Sequence, residues 1–293
     1  MSAVGNLLPV LQTKLYRPRI TQDYVRRSRL NDRLKQIEYH PLTLVSAPAG
    51  YGKSVLLSAW LEHCGCPGAW LSLDENDNDL GSFVSYFLAA LRSAIPSFGD
   101  GFLDLLDSAR LPPTRTFVEM LSAELSQLDE DIVLMIDDYG VITDDAVQDF
   151  ISELMRHPHP NLHLVLSTRY APPLSLNEWR ANSQLVEIRS VELRFSPEET
   201  RSFLQRAVDA PLNEETIAAL HEKTEGWVAG LRLAAISFSR VEEFQGKIDR
   251  LSGSNMYIRD YLVSQVLVHL PAEKQLFLLQ TSILDRFCAS LCQ

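Results

Sequence analysis

Short apolar runs and helical stripes alternate along the first two thirds of the chain. The runs are Leu42–Ser46, Ala69–Leu73, Ile132–Ile136, Leu162–Ser167 and Leu185–Ile188. They are too short for buried helices and show no polar alternation, which suits strands covered on both faces. Between them Phe83, Phe87, Ala90, Leu91 and Ala94 recur at helical spacing, as do Phe117, Met120, Leu121, Leu125 and Leu128. Strand alternating with helix predicts an α/β fold, a five-stranded parallel sheet flanked by helices. Upstream, a polar arm containing Pro18 leads into a short helix over about Ser28–Glu38, with Leu30, Leu34 and Ile37 on one face.

Beyond Val191 the strand pattern stops. Ser196-Pro197-Glu198-Glu199 is a helix start, with serine at the N-cap, proline at the first helical position and glutamate at the third. Asn213 caps a second helix carrying Glu214 and Glu215 in its first turn. Trp227–Phe238 is apolar at helical spacing through Leu231, Ala234, Ala235 and Phe238. Ser252–Asn255 is read as a linker, followed by helices over Met256–Leu270 and Ala272–Thr281, with Pro271 between them.

Composition adds limits. A chain of 293 residues, 46% hydrophobic and 22% charged, can bury a large core and is expected to form about two domains. Its 27 basic against 38 acidic residues give a net charge of −11, which argues against the chain as a whole binding polyanions. The basic residues Lys14, Arg17, Arg19, Arg26, Arg27, Arg29, Arg33 and Lys35 are read as a solvated face. No apolar run is long enough to cross a membrane, and Met1–Gln12 has no secretory pattern, so the expected location is cytoplasmic. Cys64 and Cys66, a lone C-x-C pair, and Cys288 and Cys292 are read as reduced, packed thiols.

The sharpest chemical signal is Ala47-Pro48-Ala49-Gly50-Tyr51-Gly52-Lys53-Ser54, a G-x-x-x-x-G-K-[ST] loop with alanine in place of the first glycine. Phosphate oxygens need inward-turned backbone N–H groups, and Gly50 and Gly52 permit that path. Lys53 supplies charge to the β- and γ-phosphates, and the Ser54 hydroxyl ligates Mg²⁺. The helix that begins at Lys53 and continues through Val55 points its positive end at the same phosphates. A second strand, Ile132–Ile136, ends in Asp137-Asp138. Asp137 is expected to hold Mg²⁺, and Asp138 to orient the attacking water. The strand Leu162–Ser167 ends in Thr168-Arg169, and an arginine at the carboxyl end of a parallel strand can sense a γ-phosphate. Arg180 is a weaker candidate for the same task.

Together these residues resemble the N-terminal ATPase module of MalT-like, LuxR-family transcriptional regulators, in the STAND class of signalling NTPases. The matching stretches are Lys14 to Pro18, Val25 to Leu30, Ser46 to Ser54, Ile136 to Tyr139, Ser167 to Arg169 with Pro172 to Leu174, Leu193 to Ser196, Gly226-Trp227, and Phe277 to Cys292. The resemblance implies an arm at 1–40, a nucleotide-binding domain at 41–192, a helical domain at 193–252 and the start of a winged helix at 253–293. It also implies a superhelical sensor and a C-terminal DNA-binding domain that this stretch does not reach, so the chain reads as a fragment of a longer regulator.

By the same resemblance ADP holds the resting form. ATP accompanies self-association, and slow hydrolysis resets the switch. Val25 and Arg27 fall near the adenine or ribose. Pro48, Ala49, Gly50, Tyr51, Gly52, Lys53, Ser54 and Val55 surround the nucleotide. Arg169 is the sensor arginine, and Trp227 lies on the helix that closes over the nucleotide. The chain departs from the family pattern at Gly226-Trp227-Val228, where many relatives have Gly-x-Pro, at Arg26-Arg27-Ser28, where Gly-Arg-Glu is common, and at Asn182, where a second arginine is found. The alternative reading is a free-standing P-loop kinase or ATPase.

Overall fold

The structure, a computed structural model, describes residues 10–102, 111–208, 212–238 and 256–282. The linker expected at Ser252–Asn255 and the cysteines Cys288 and Cys292 lie outside the described residues. The chain divides into two units, Met1–Arg194 and Phe195–Gln293.

The first unit is built on five parallel strands in the order β2-β3-β4-β1-β5, where β1 is Leu42–Ser46, β2 Gly68–Ser72, β3 Ile132–Asp137, β4 Leu162–Thr168 and β5 Leu185–Arg189. Each expected strand is present, with ends shifted by at most one residue. β2 starts one residue earlier than the apolar run because Gly68 pairs with Val133, while Leu73 has left the ladder and donates to the Asp137 carbonyl at 3.0 Å.

Side chains alternate across the sheet, and both faces are apolar. Leu42, Leu44, Ile132, Leu134, Ile136, Leu162, Leu164 and Leu166 face one layer. That layer holds α3 (Leu80–Ala94), α4 (Thr114–Leu125) and α5 (Asp145–Arg156). Val45, Trp70, Val133, Met135, Val165 and Ile188 face the other, made by α1 (Ser28–Leu34) and α2 (Lys53–Leu61). α5 was not singled out by the apolar spacing named above, although Asp144 caps it and Val147, Phe150, Ile151 and Leu154 form its buried stripe.

The arm corrects one expectation. Its basic residues are not simply a solvated face. Lys14 is buried between Asp77 at 2.7 Å and Asp74 at 2.8 Å, with the Tyr86 ring beneath it at 4.7 Å. Arg17 donates to the Ser58 carbonyl, Arg33 to the Glu187 carbonyl, and Arg29 to the Glu192 and Arg194 carbonyls. The arm is therefore fastened along the sheet and along α2 by charge-assisted hydrogen bonds, the stronger class of such bonds.

The second unit is helical as described. Elements α6 (Pro197–Ala207), α7 (Glu214–Thr224) and α8 (Val228–Phe238) follow the expected starts. The Ser196 hydroxyl accepts from Glu199 N–H while the Glu199 carboxylate accepts from Ser196 N–H, a reciprocal capping box. Gly226, at φ 72°, lets its backbone pass against Phe195, whose carbonyl oxygen lies 2.3 Å from where a Cβ would stand. The helix expected over Met256–Leu270 is shorter. It runs Met256–Gln265, then a 3₁₀ turn covers Leu267–His269, and Leu270 adopts extended ψ 148° ahead of Pro271. A residue before proline is driven out of the helical region.

Candidate functional site

The topology places three strand ends side by side. β4 lies between β1 and β3, with Ser46 opposite Thr168 and Ile136 opposite Leu166. Neighbouring strands sit about 4.8 Å apart, so the carboxyl ends of β1 and β3 are separated by about 10 Å. Whatever follows each strand must gather at this edge. β1 runs into the Ala47–Gly52 loop, β3 closes on Asp137, and β4 delivers Arg169.

The loop has the backbone its sequence requires. Gly50 and Gly52 take φ 82° and 76°, and Gly52 is the left-handed N-cap of α2. Side chains are strained there, whereas glycine is not. Ala47 N–H donates to the Thr168 carbonyl at 3.2 Å, which fixes the loop to β4. Lys53 is 7% exposed, and its ammonium donates to the Ala47 carbonyl at 2.8 Å and the Pro48 carbonyl at 3.3 Å. Burial pushes this ammonium below the usual lysine range, the Asp138 and Asp137 charges hold it up, and Arg169 pushes it down again. The four expected charges thus act on one another across the sheet edge.

Asp137 is 6% exposed, the last residue of β3. Burial raises its carboxyl above the usual aspartate range and the Asp138 charge adds to this, while the hydroxyls of Ser167 and Ser54 and the Lys53 charge pull it back. Its Oδ1 is buried without a hydrogen-bond partner. An orphaned carboxylate oxygen beside the Ser54 hydroxyl is a donor set of hard oxygens, which fits a Mg²⁺ ion completed by phosphate oxygens and water. Among the described residues no group of three or more His, Cys, Asp and Glu could hold a metal unaided. Asp138, by contrast, is exposed at φ 57°, ψ 35°.

Ser167 was missed by the sequence reading. It is fully buried at the end of β4 and acts on Asp137. A small hydroxyl residue closing an otherwise leucine- and valine-rich strand was the available signal. At Gly140, just after Asp138 and Tyr139, a Cβ would stand 2.9 Å from Thr168 Oγ1, so the backbone passes close to the end of β4.

The other expected residues are placed as follows. Val25 is 5% exposed and Arg27 2% exposed. The Arg27 guanidinium donates to the Leu193 and Arg194 carbonyls, so it fastens the arm to the segment after β5. Pro48, Ala49 and Tyr51 belong to the loop, and Val55 to the first turn of α2. Arg180 is engaged elsewhere. It pairs with Glu187 at 2.8 Å and donates to Asn177 at 2.6 Å on the surface, which removes it as a phosphate sensor. Trp227 belongs to the second unit, where its ring meets Tyr261 edge-on at 5.6 Å and Gly230 leaves room for it.

A raised folded-state pKa on an acid means that the fold binds the proton more tightly than the unfolded chain does. That contribution is present below the unfolded value of about 3.9 and is lost as pH rises through the folded value. Wherever Asp137 is ionised, its buried carboxylate therefore weakens the fold. Asp137→Asn is expected to raise nucleotide-free stability at pH 7 by about 0.5–2 kcal/mol, the range common for single stabilising substitutions. Thermal scans should show a Tm gain of a few degrees at pH 7 that shrinks as pH falls toward 4. A lower Tm at pH 7 would show that Asp137 is held by partners rather than strained.

Comparison with known proteins gives a consistent picture. The MalT winged helix domain matches residues 263–293. The chain is 35% identical over 277 residues to an HTH-type transcriptional regulator MalT of Serratia proteamaculans, covering 94% of this chain and 30% of that protein. It is 33% identical over the same length to the MalT regulator of Yersinia enterocolitica, covering 94% and 31%. The chain thus spans about 30% of the length of these relatives. Among solved structures, the Walker-type ATPase of Pyrococcus abyssi superposes with a TM-score of 0.60 at 17% identity, covering 89% of this chain and 80% of that one. Cdc6p from Pyrobaculum aerophilum superposes at 0.52 with 15% identity, covering 94% and 79%. Over 94% of its length this chain is MalT-like, related to the HTH-type transcriptional regulators of that name, and its first unit has the P-loop ATPase fold.

Proposed function

We propose that the chain is the ATP/ADP-binding switch module of a MalT-like transcriptional regulator. The observation that carries this reading is the convergence of Lys53, Ser54, Asp137, Asp138 and Arg169 at one sheet edge, with a carboxylate oxygen left for a cation. Gly50, Gly52 and Lys53 hold the phosphates, and Pro48, Ala49, Tyr51 and Val55 surround them. Ser54 and Asp137 hold the cation, and Asp138 positions the attacking water. Arg169 senses the γ-phosphate. A Mg²⁺ ion held by Ser54 and Asp137 would supply positive charge to offset the negative charge of the phosphates. Val25 and Arg27 border the adenine or ribose, with Arg27 acting through the backbone it holds. Trp227 contributes when the helical domain closes.

On this reading the arm is 1–40, the nucleotide-binding domain 41–192, the helical domain 193–252 and the start of the winged helix 253–293. ADP marks the resting state. ATP accompanies self-association of the full-length regulator, and slow hydrolysis resets it. Promoter DNA is contacted by a C-terminal domain of the regulator and not by this acidic stretch. The module acts away from membranes, consistent with the lack, among the described residues, of any helix long and apolar enough to cross one.

The direct test is Lys53→Ala. It removes a buried charge-assisted contact worth about 1.5–3 kcal/mol, equal to about 10- to 150-fold in affinity. Calorimetry with ATP and ADP in Mg²⁺ should show that loss for both nucleotides. Equal affinity in the two proteins would remove the nucleotide from this loop.

A further inference from the structure

The end of α2 opposite the phosphate loop carries a second piece of chemistry. After Leu61 the chain turns through Glu62 and His63 into Cys64-Gly65-Cys66 and then enters β2. The two sulfurs lie 3.4 Å apart, and both cysteines are half-buried. Gly65 between them takes φ 80° with nothing within 4 Å of a would-be Cβ, so the turn is tight and open space lies beside it. Cys64 also lines a cavity of about 660 Å³ shared with Arg26, Lys35, Glu38 and His63. That volume lies within the usual range of small-molecule sites.

We propose that Cys64 and Cys66 form a redox-active dithiol that a low-molecular-weight disulfide converts reversibly to an intramolecular disulfide. The pair is already within reach of each other, and closing a bridge across one intervening residue needs only a small adjustment of the turn. The cavity admits the oxidant to Cys64.

The order of events follows from the hydrogen bond. The Cys66 thiol donates to Cys64 Sγ at 3.4 Å. This bond lowers the Cys64 thiol to about 6, against the effects of burial and the Glu38 charge. The same bond, with burial and Glu38, raises Cys66. Cys64 is therefore the attacking thiolate. It bonds to one sulfur of the small disulfide, whose S–S bond breaks and whose other half leaves as a thiolate. Cys66 gives its proton to solvent and attacks Cys64 Sγ, releasing the second half as a thiolate. Two protein thiols lose two electrons, and the small disulfide gains them to become two thiols.

The test uses the chain with Cys288→Ser and Cys292→Ser, equilibrated in mixtures of reduced and oxidised glutathione, trapped by acid and alkylation, and read by peptide mass. The expected result is a Cys64–Cys66 peptide that passes from two alkyl groups to none as oxidised glutathione rises, and returns when a reductant is added. Cys66→Ala should stop at a mixed disulfide on Cys64. The pH profile of Cys64 alkylation should have its midpoint below the ordinary cysteine value of about 8.5 in the intact pair and move up toward that value in Cys66→Ala. A pair that stays alkylatable in fully oxidised glutathione, or that stops at mixed disulfides with both cysteines present, overturns the proposal. A Cys64 midpoint that does not move in Cys66→Ala overturns the assigned order of attack.

Discussion

Phe150→Ala is expected to lower the stability of the first unit by about 3–5 kcal/mol, the usual cost of emptying a buried aromatic site. Phe150 is 1% exposed at the middle of α5. Three rings surround it: Phe83 at 6.0 Å, Phe87 at 5.4 Å and Phe117 at 5.9 Å, all edge-on. Phe83 and Phe87 belong to α3 and Phe117 to α4, so one side chain joins three helices over one face of the sheet. Its loss leaves a cavity that cannot collapse without moving all three, because each helix is also fixed to strands beneath it. The edge-on pairs add contact energy of about 0.5–1.5 kcal/mol each, not fully additive. Domains of this kind have about 5–15 kcal/mol to lose. Urea unfolding followed by tyrosine and tryptophan fluorescence should show a lower midpoint with an unchanged slope. A loss below about 1 kcal/mol would mean that the aromatic cluster is peripheral to the fold.

The helix that carries Phe150 shows what the sequence could and could not disclose. Its apolar stripe is regular, and Asp144 accepts from Val147 N–H at 3.1 Å as an ordinary N-cap. Both signals are present in the chain. The strands themselves were legible because burial on both faces forces unbroken apolar runs. Their order was not. That β4 separates β1 from β3 depends on long-range pairing which no local pattern encodes, and this order brings Arg169 between the loop and Asp137. That Lys53, Ser54 and Asp137 would be brought together was legible, because a phosphate-type loop after one strand and an acid at the end of another converge in a parallel sheet. Ser167 was not, since a buried serine closing a strand has many ordinary explanations. The basic arm was misread for a related reason: charge in a sequence does not say whether water or a backbone carbonyl receives it, and here Arg27, Arg29 and Arg33 meet carbonyls.

Asp138→Asn is expected to slow ATP hydrolysis by about 10²- to 10⁴-fold, or about 3–5 kcal/mol of barrier, while leaving the fold intact. The substitution is well suited to the position. Asp138 sits at φ 57°, ψ 35°, in the left-handed region that asparagine adopts as readily as aspartate. The side chain is exposed, so no packing is lost. What changes is charge. Asp138 is the foremost group holding up the Lys53 ammonium, and it also raises the Asp137 carboxyl. On the proposed reading its loss removes a negative charge near the γ-phosphate, so ATP affinity should hold or rise. The group that would orient and polarise the attacking water is lost at the same step. Asp137→Asn should behave differently, weakening Mg²⁺-dependent ATP binding while sparing binding measured in chelator, because on the proposed reading the buried carboxylate holds the cation. Affinity and single-turnover hydrolysis measured side by side on the two variants separate these roles. If Asp138→Asn hydrolyses ATP at the wild-type rate, Asp138 serves only the turn into Tyr139, and the water is positioned by another group at the sheet edge.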